Sequence, residues 1–328
     1  MANPKTILVT GCAGFIGSNF VKQFGIKYPK TKIIGIDDFS TGRRENIEAL
    51  RGAQGKKSFI FFKGSILDKK LVEKIFGKYL PEYVFHFAAL PRVSYSVEHP
   101  RETSEANIIG TVAFLEAAKK YKTKRFIYSA SSAAYGGAKK LPTKESENCP
   151  DPKSPYAVQK YAGELFCRNF SELLGLDTVS LRYFNVFGPG QYGDSPYSTV
   201  ISAWLEALYF SKKKKAFMEG DGKQSRDFCY IDNVIQANIL AMKSVKNFNG
   251  EVFNIAHGER TSLLEVKKLI EKYTGKKILL ELRPARLGDV RHTHADISKA
   301  KNRFGYRPVV SFENGLKKTV EWFEFRKN

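Results

Sequence analysis

The first half of the chain alternates short apolar runs with longer stretches of helical period. Thr6–Thr10 (TILVT), Lys32–Ile36 (KIIGI), Phe59–Phe62 (FIFF), Tyr83–Phe87 (YVFHF), Arg125–Ser129 (RFIYS) and Thr178–Arg182 (TVSLR) are almost continuously apolar or β-branched. Strands buried on both faces read this way, because neither face calls for polar positions. Helix-length segments lie between them. Asn107–Tyr121 repeats apolar residues at Ile108, Val112, Leu115 and Ala118, which share one helical face. The alternation predicts an α/β fold, a doubly wound parallel sheet of Rossmann type with helices on both sides.

After Arg182 the pattern changes. Apolar runs thin out, and turns rich in Gly and Pro appear in FGPGQYGDSP, EGDG and RPARLGD. Helical periodicity returns near Val200–Phe210, Val234–Ser244, Leu263–Tyr273 and Phe312–Phe325. This predicts a Rossmann domain over 1–182 and a smaller α/β substrate-binding domain over 183–328, with the chain free to cross between them. No internal repeat or low-complexity segment interrupts the pattern.

Composition narrows the class. With 328 residues, 42% hydrophobic and 27% charged, the chain can bury a sizeable core and reads as globular. No apolar stretch reaches membrane-spanning length, and Met1 to Thr10 lacks the layout of a leader. Cys12, Cys149, Cys167 and Cys229 are far apart with no C-x-x-C pair, so neither zinc nor disulfides are expected. A reducing cytoplasm and no membrane partner follow as expectations. The formal charge of +21 comes from lysines scattered over the whole length, without a basic helix or a basic–aromatic signature. It reads as a lysine-rich surface rather than a nucleic-acid footprint.

Two motifs carry chemistry. Gly11-Cys12-Ala13-Gly14-Phe15-Ile16-Gly17 follows the first strand and opens a helix. Glycines there let the backbone turn tightly and approach a pyrophosphate, which the helix N-terminus then receives. Asp37, at the end of the second strand, suits ribose hydroxyls and repels a 2′-phosphate, which favours NAD over NADP. The second motif is Tyr156-Ala157-Val158-Gln159-Lys160, which puts a phenol and an ammonium on one helical face. A neighbouring Lys⁺ and a positively charged nicotinamide both favour phenolate, so Tyr156 can act as a base. Ser154-Pro155 supplies the helix start, and Ser129-Ala130-Ser131-Ser132 ends a strand upstream.

With these residues the chain resembles the extended short-chain dehydrogenases and, within them, the NAD-dependent UDP-hexose 4-epimerases. The resemblance spans essentially the whole length. It rests on TGCAGFIG, HFAALPRVSYSVEHP, NIIGT, SASSAAYG, SPYAVQK, LRYFNVFGPGQ, GDGKQSRDFCYIDN and RLGDVRHTHAD. It implies Tyr156 as the base, Lys160 as its partner on the nicotinamide ribose, and Ser131 bonded to the reacting hydroxyl. It implies a cofactor site of Gly11, Gly14, Phe15, Ile16, Gly17, Asp37, Ser65, Ile66, Ala88, Asn107, Tyr156, Lys160 and Tyr183. Ser131, Asn185, Arg226, Arg286 and Asp289 are the implied contacts of the UDP-sugar. Thr293 matches a position beside the sugar's C2 substituent, where a small residue admits an N-acetyl group. A homodimer is implied as well, since the family usually pairs the helices of Asn107–Tyr121 and Tyr156–Leu174, and both show a second apolar stripe.

Departures refine the resemblance. The family usually reads G-D-I after the third strand, where the aspartate meets the adenine amino group. This chain has Gly64-Ser65-Ile66, and serine oxygen can still accept one hydrogen bond. Sugar-nucleotide 4,6-dehydratases need an acid pair where this chain has Ser132 and Ala133, and decarboxylating relatives carry a glutamate at the second of these. Glucuronate 4-epimerases typically read RFFTVYGP-x-GRPD, against RYFNVFGPGQYGD here. The expected reaction is therefore 4-epimerisation of UDP-GlcNAc/UDP-GalNAc and/or UDP-Glc/UDP-Gal through a 4-keto sugar. A UDP-glucuronate 4-epimerase or another nucleotide-sugar oxidoreductase is the alternative. A non-catalytic NAD-sensing relative is the reading from a different class, and intact Ser131, Tyr156 and Lys160 oppose it.

Other residues read more plainly. His292 and His294 lack a third ligand nearby, so no metal is expected. His86 in its apolar strand reads as a core histidine, and Phe228, Cys229 and Tyr230 as packing. Gly42–Asn46 reads equally as an adenosine contact and as a solvated loop.

Overall fold

Each of the six apolar runs forms a strand: β1 (Thr6–Thr10), β2 (Lys32–Asp37), β3 (Phe59–Lys63), β4 (Tyr83–His86), β5 (Arg125–Ser131) and β6 (Thr178–Tyr183). A seventh, β7 (Val252–Ile255), joins them at one edge. Its four residues are too short a run to stand out from the helical pattern around them. This computed structural model describes residues 3–54, 58–137, 140–146, 150–194, 198–210, 216–284 and 290–327.

The strand order is β7-β6-β5-β4-β1-β2-β3. The pairs β1–β2, β1–β4, β2–β3 and β4–β5 are parallel, with Thr10 opposite both Ile36 and His86. The order turns back between β1 and β4, and open sheets bind ligands outside the carboxyl ends of strands at such a switch point.

The chain divides into two compact units. The first comprises Met1–Ala134, Pro152–Arg182 and Ile235–Phe253, and the second Tyr135–Asp151, Tyr183–Val234 and Asn254–Asn328. In the first unit, Leu8, Ile34, Val84, Phe114, Phe126 and Tyr128 are buried between sheet and helices. Each such side chain taken out of water stabilises the fold by roughly 1.5–3 kcal/mol. A buried ion pair, Arg182 Nη2 to Glu164 Oε2 at 2.6 Å, ties β6 to the helix Pro155–Leu174. That helix starts where Ser154 Oγ accepts the Ala157 N–H at 3.2 Å, with Pro155 in its first turn, and ends at Gly175 with φ 69°.

The expected helix at Asn107–Tyr121 forms with one change. Gly110–Lys120 is α-helical, but it is preceded by a π turn at Glu105–Ile109. Asn107 sits in that turn and is buried.

The second unit holds short paired strands and the helices Val200–Phe210, Leu263–Thr274 and Phe312–Lys327. Ser262 and Glu265 form a reciprocal cap at the start of the second of these. Phe228, Cys229 and Tyr230 are buried, with Phe187 and Phe312 rings against Phe228. Among the described residues no helix is long and apolar enough to cross a membrane.

Candidate active site

The turn after β1 can be made only with glycine. Gly11 has φ 66°, and a Cβ there would meet the Ala88 nitrogen at 2.7 Å. A Cβ on Gly17 would lie 2.1 Å from the Gly11 carbonyl oxygen. The helix Phe15–Lys27 therefore packs directly on its own entry loop. Gly14 is its N-cap, and no side chain caps it. The first-turn N–H groups, those of Phe15 and Ile16 among them, are thus left for an anion.

Asp37 closes the end of β2. Its Oδ2 accepts the Ala13 N–H at 2.9 Å and its Oδ1 the Phe39 N–H at 2.8 Å. Burial pushes the carboxyl up, and these two bonds oppose that push. Gly11, Asp37, Ser65, Ile66, Ala88 and Leu90 line one cleft at the switch point. Ser65 Oγ accepts the Leu67 N–H at 3.2 Å, so its own turn takes up one lone pair. The segment Gly42–Asn46, expected as an adenosine contact or a solvated loop, runs into the helix Arg44–Gln54. Arg43 N and Asn46 Nδ2 both donate to the Ala13 carbonyl, at 3.0 and 2.8 Å, and clamp the phosphate loop from behind.

Ser131 ends β5, and its side chain acts on the Tyr156 phenol in the direction that favours phenolate. Lys160, one turn along the helix, is buried. Its Nζ donates to the Ser129 carbonyl at 2.8 Å and stands 5.1 Å over the Tyr128 ring. Burial holds the Lys160 ammonium down to about 8. One electrostatic expectation is corrected. Lys160 was to make Tyr156 more acidic, but burial raises the phenol, and only Ser131 pulls it the other way. The desolvation of a buried phenolate outweighs a lysine whose ammonium is aimed at a backbone carbonyl.

Asn107 braces these parts. Its Oδ1 accepts the Leu90 N–H at 2.7 Å, and its Nδ2 donates to Gln159 Oε1 at 2.7 Å. Gln159 Nε2 in turn donates to Thr103 and Ser104 hydroxyls at 2.8 and 3.0 Å. Gln159 stands inside the SPYAVQK motif, but nothing in the sequence marks it as the brace of Asn107.

In the second unit three expected residues converge on one not singled out. Asn185, with φ 30°, donates from Nδ2 to Thr293 Oγ1 at 3.0 Å and to the Asp227 carbonyl at 3.2 Å. Thr293 Oγ1 also accepts the Asp227 N–H at 3.1 Å. Arg226 is the neighbour of Asp227, and its Nη1 donates to the Arg291 carbonyl at 3.1 Å. The buried Asp227 carboxylate accepts N–H bonds from His257, Gly258 and Ala295 at 2.9, 3.2 and 3.1 Å. Burial raises it to about 7 against those bonds. Its place inside SRDF was the available signal. Tyr183 ends β6 and is buried. Arg286 and Asp289 lie outside the described residues.

The histidines are accounted for individually. His292 Nδ1 pairs with Ser225 Oγ at 2.8 Å and His294 Nε2 with the Gly258 carbonyl at 3.0 Å. Among the described residues no group of three His, Cys, Asp or Glu is placed to hold a metal.

Comparison with known proteins agrees along the whole chain. A family model described as GDP-mannose 4,6 dehydratase matches residues 8–319. A UDP-glucose 4-epimerase from Thermotoga maritima, solved with UDP-glucose, has a TM-score of 0.90 and 38% identity, covering 98% of this chain and 100% of that one. A UDP-N-acetylglucosamine 4-epimerase from Methanobrevibacter ruminantium, in complex with UDP-N-acetylmuramic acid, gives 0.89 and 37%, covering 99% and 100%. A UDP-glucuronic acid 4-epimerase from Bacillus cereus, with UDP-glucuronic acid and NAD, gives 0.88 and 33%, covering 98% and 99%. Matched over nearly its full length, the chain belongs to the GDP-mannose 4,6 dehydratase family of extended short-chain dehydrogenases, in its branch of NAD-dependent UDP-sugar 4-epimerases.

Proposed function

We propose that the protein interconverts the C4 epimers of a UDP-hexose, with UDP-GlcNAc/UDP-GalNAc and UDP-Glc/UDP-Gal as substrates. The observation that carries this reading is buried Lys160 one helical turn from Tyr156, with Ser131 at the end of β5 favouring the phenolate. The cleft fits NAD. A pyrophosphate suits the uncapped helix start that the Gly11 turn and the close packing at Gly17 bring to the cleft, and Asp37 suits an unphosphorylated ribose. NAD, when bound, supplies a hydride acceptor for C4 and a positive charge that favours phenolate. Tyr156 takes the C4 hydroxyl proton and later returns it. Ser131 orients that hydroxyl, and Lys160, one turn along the helix, holds the nicotinamide ribose. Arg226 and Arg286 grip the diphosphate, since planar guanidinium groups bond its oxygens in pairs, and Asn185 and Asp289 hold the rest of the UDP.

Elimination of water is a poorer reading, despite the dehydratase in the family's description. Ser132 and Ala133 offer no carboxyl to protonate a leaving hydroxyl. The glucuronate reading has the likeness to the Bacillus cereus enzyme in its favour. Separate incubation with UDP-Glc, UDP-GlcNAc and UDP-GlcA, followed by product separation, decides. Turnover of UDP-GlcA alone overturns our choice of substrate.

Thr293 supports the N-acetylated substrates because it is small. Thr293→Tyr should remove activity on UDP-GlcNAc and spare UDP-Glc. Thr293 Oγ1 also accepts from Asn185 and Asp227, so the variant leaves two donors unpaired. Thr293→Ser keeps the acceptor and should keep both activities. Loss of both in the tyrosine variant, or of neither, removes Thr293 as the gate. The reading includes a cytoplasmic homodimer. Free, buried Cys12, Cys167 and Cys229 suit a reducing compartment.

A further inference from the structure

Beneath the cofactor cleft lies a buried imidazole that no step above uses. His86 ends β4 and is 0% exposed. Its Nδ1 is 3.1 Å from Thr10 Oγ1 and its Nε2 is 3.1 Å from Thr111 Oγ1. The protons of this chain have only one arrangement. Thr111 Oγ1 donates to the Asn107 carbonyl at 2.8 Å, and a carbonyl can only accept. That uses the one proton of Thr111, so towards His86 it accepts, and Nε2 carries the hydrogen. In a neutral ring Nδ1 is then bare and accepts from Thr10. Thr10 Oγ1 itself accepts the Ala88 N–H at 3.0 Å.

The surroundings keep the ring neutral. Burial lowers it to about 3, and Lys160, the charged group that faces it, pushes the same way. Rings of Phe114, Phe126 and Tyr128 stand around it at 5.4, 5.5 and 6.1 Å. The two ends of the chain of bonds reach separate parts of the site. At one end Thr10 leads into Gly11, which lines the cleft together with Ala88. At the other end Asn107 holds Leu90, also in the cleft wall, and Gln159, the residue before Lys160.

We propose that His86, locked in its Nε2–H tautomer, is the positioning residue that fixes the cofactor cleft relative to the helix of Tyr156 and Lys160. The proposal rests on the functional reading above. Nitrogen NMR on histidine-labelled protein, with NAD titrated in, reads it directly. His86 should show a protonated Nε2 and a bare Nδ1, unchanged from about pH 5.5 to about pH 9. A ring that titrates in that window, or the opposite tautomer, overturns the proposal. His86→Phe removes both bonds, whereas His86→Gln offers one acceptor and one donor. Calorimetry should show NAD binding weakened about 10- to 100-fold in the phenylalanine variant, and largely restored by glutamine. The pH profile of kcat should shift in the phenylalanine variant alone. A folded phenylalanine variant with wild-type NAD affinity and pH profile overturns the proposal. Should that variant fail to fold, the wild-type tautomer and the glutamine variant's affinity decide. Wild-type protein that binds no NAD in the same titration instead overturns the functional reading.

Discussion

Tyr156 stands under two opposed influences, burial that raises its phenol and the Ser131 side chain that lowers it. Its activity as a base therefore depends on added positive charge. Tyr156→Phe should cut turnover by about 10²–10⁴-fold while leaving NAD binding nearly intact. Epimerisation within tenfold of wild type, measured on the best UDP-sugar, removes Tyr156 as the base. Lys160 supplies a stability test as well. Its folded value, about 8, lies below its ordinary 10.5. Between those values the unfolded chain holds more protons, so the burial cost is full below pH 8 and vanishes above 10.5. The difference in unfolding free energy between wild type and Lys160→Met should thus move in favour of wild type by roughly 3 kcal/mol across that window. Urea denaturation at a series of pH values reads it. A flat difference means that the ammonium keeps its water.

At the scale of elements, two helix starts do different work. The helix Phe15–Lys27 begins uncapped on glycines, which suits an anion, and its tight packing leaves no room for a methyl group. Gly17→Ala should weaken NAD binding by roughly 100-fold or more, since its Cβ collides with backbone and no side chain can yield. Retained affinity in an isothermal titration would show that the loop can shift. The helix Pro155–Leu174 begins capped, through Ser154. Ser154→Ala should cost about 1 kcal/mol, seen as a lower urea midpoint. The π turn at Glu105–Ile109 belongs to this scale too, because such turns often occur at functional sites, and here one carries Asn107 to Leu90 and Gln159.

At the scale of the whole molecule, the surface leaves apolar side chains uncovered on the two helices expected to pair. Ile109, Val158 and Phe166 are 57%, 49% and 36% exposed in the single chain. A second copy would remove them from water. Sedimentation should show a dimer at micromolar concentration, and Val158→Glu should yield monomers with the fold intact by circular dichroism. A wild-type monomer at that concentration contradicts the homodimer.

The sequence by itself determined six of the seven strands of the sheet, the phosphate loop and the Tyr156–Lys160 pair. These are local matters: buried strands need unbroken apolar runs, a tight turn needs glycine, and residues four apart share a helical face. Of the residues expected at the cofactor, Gly11, Asp37, Ser65, Ile66 and Ala88 share one cleft, because they lie at or just beyond strand ends. What only the tertiary structure decided lies in bonds between distant segments. Asp227 gathers His257, Gly258 and Ala295, and Asn107 reaches Gln159. The ammonium of Lys160 turns to Ser129 rather than to the phenol, which no spacing could foretell. His86 was legible as a core residue, but its tautomer depends on two hydroxyls that only the fold brings to it. A buried polar group must find its partners wherever the fold puts them, and their direction is fixed by which atoms can only accept.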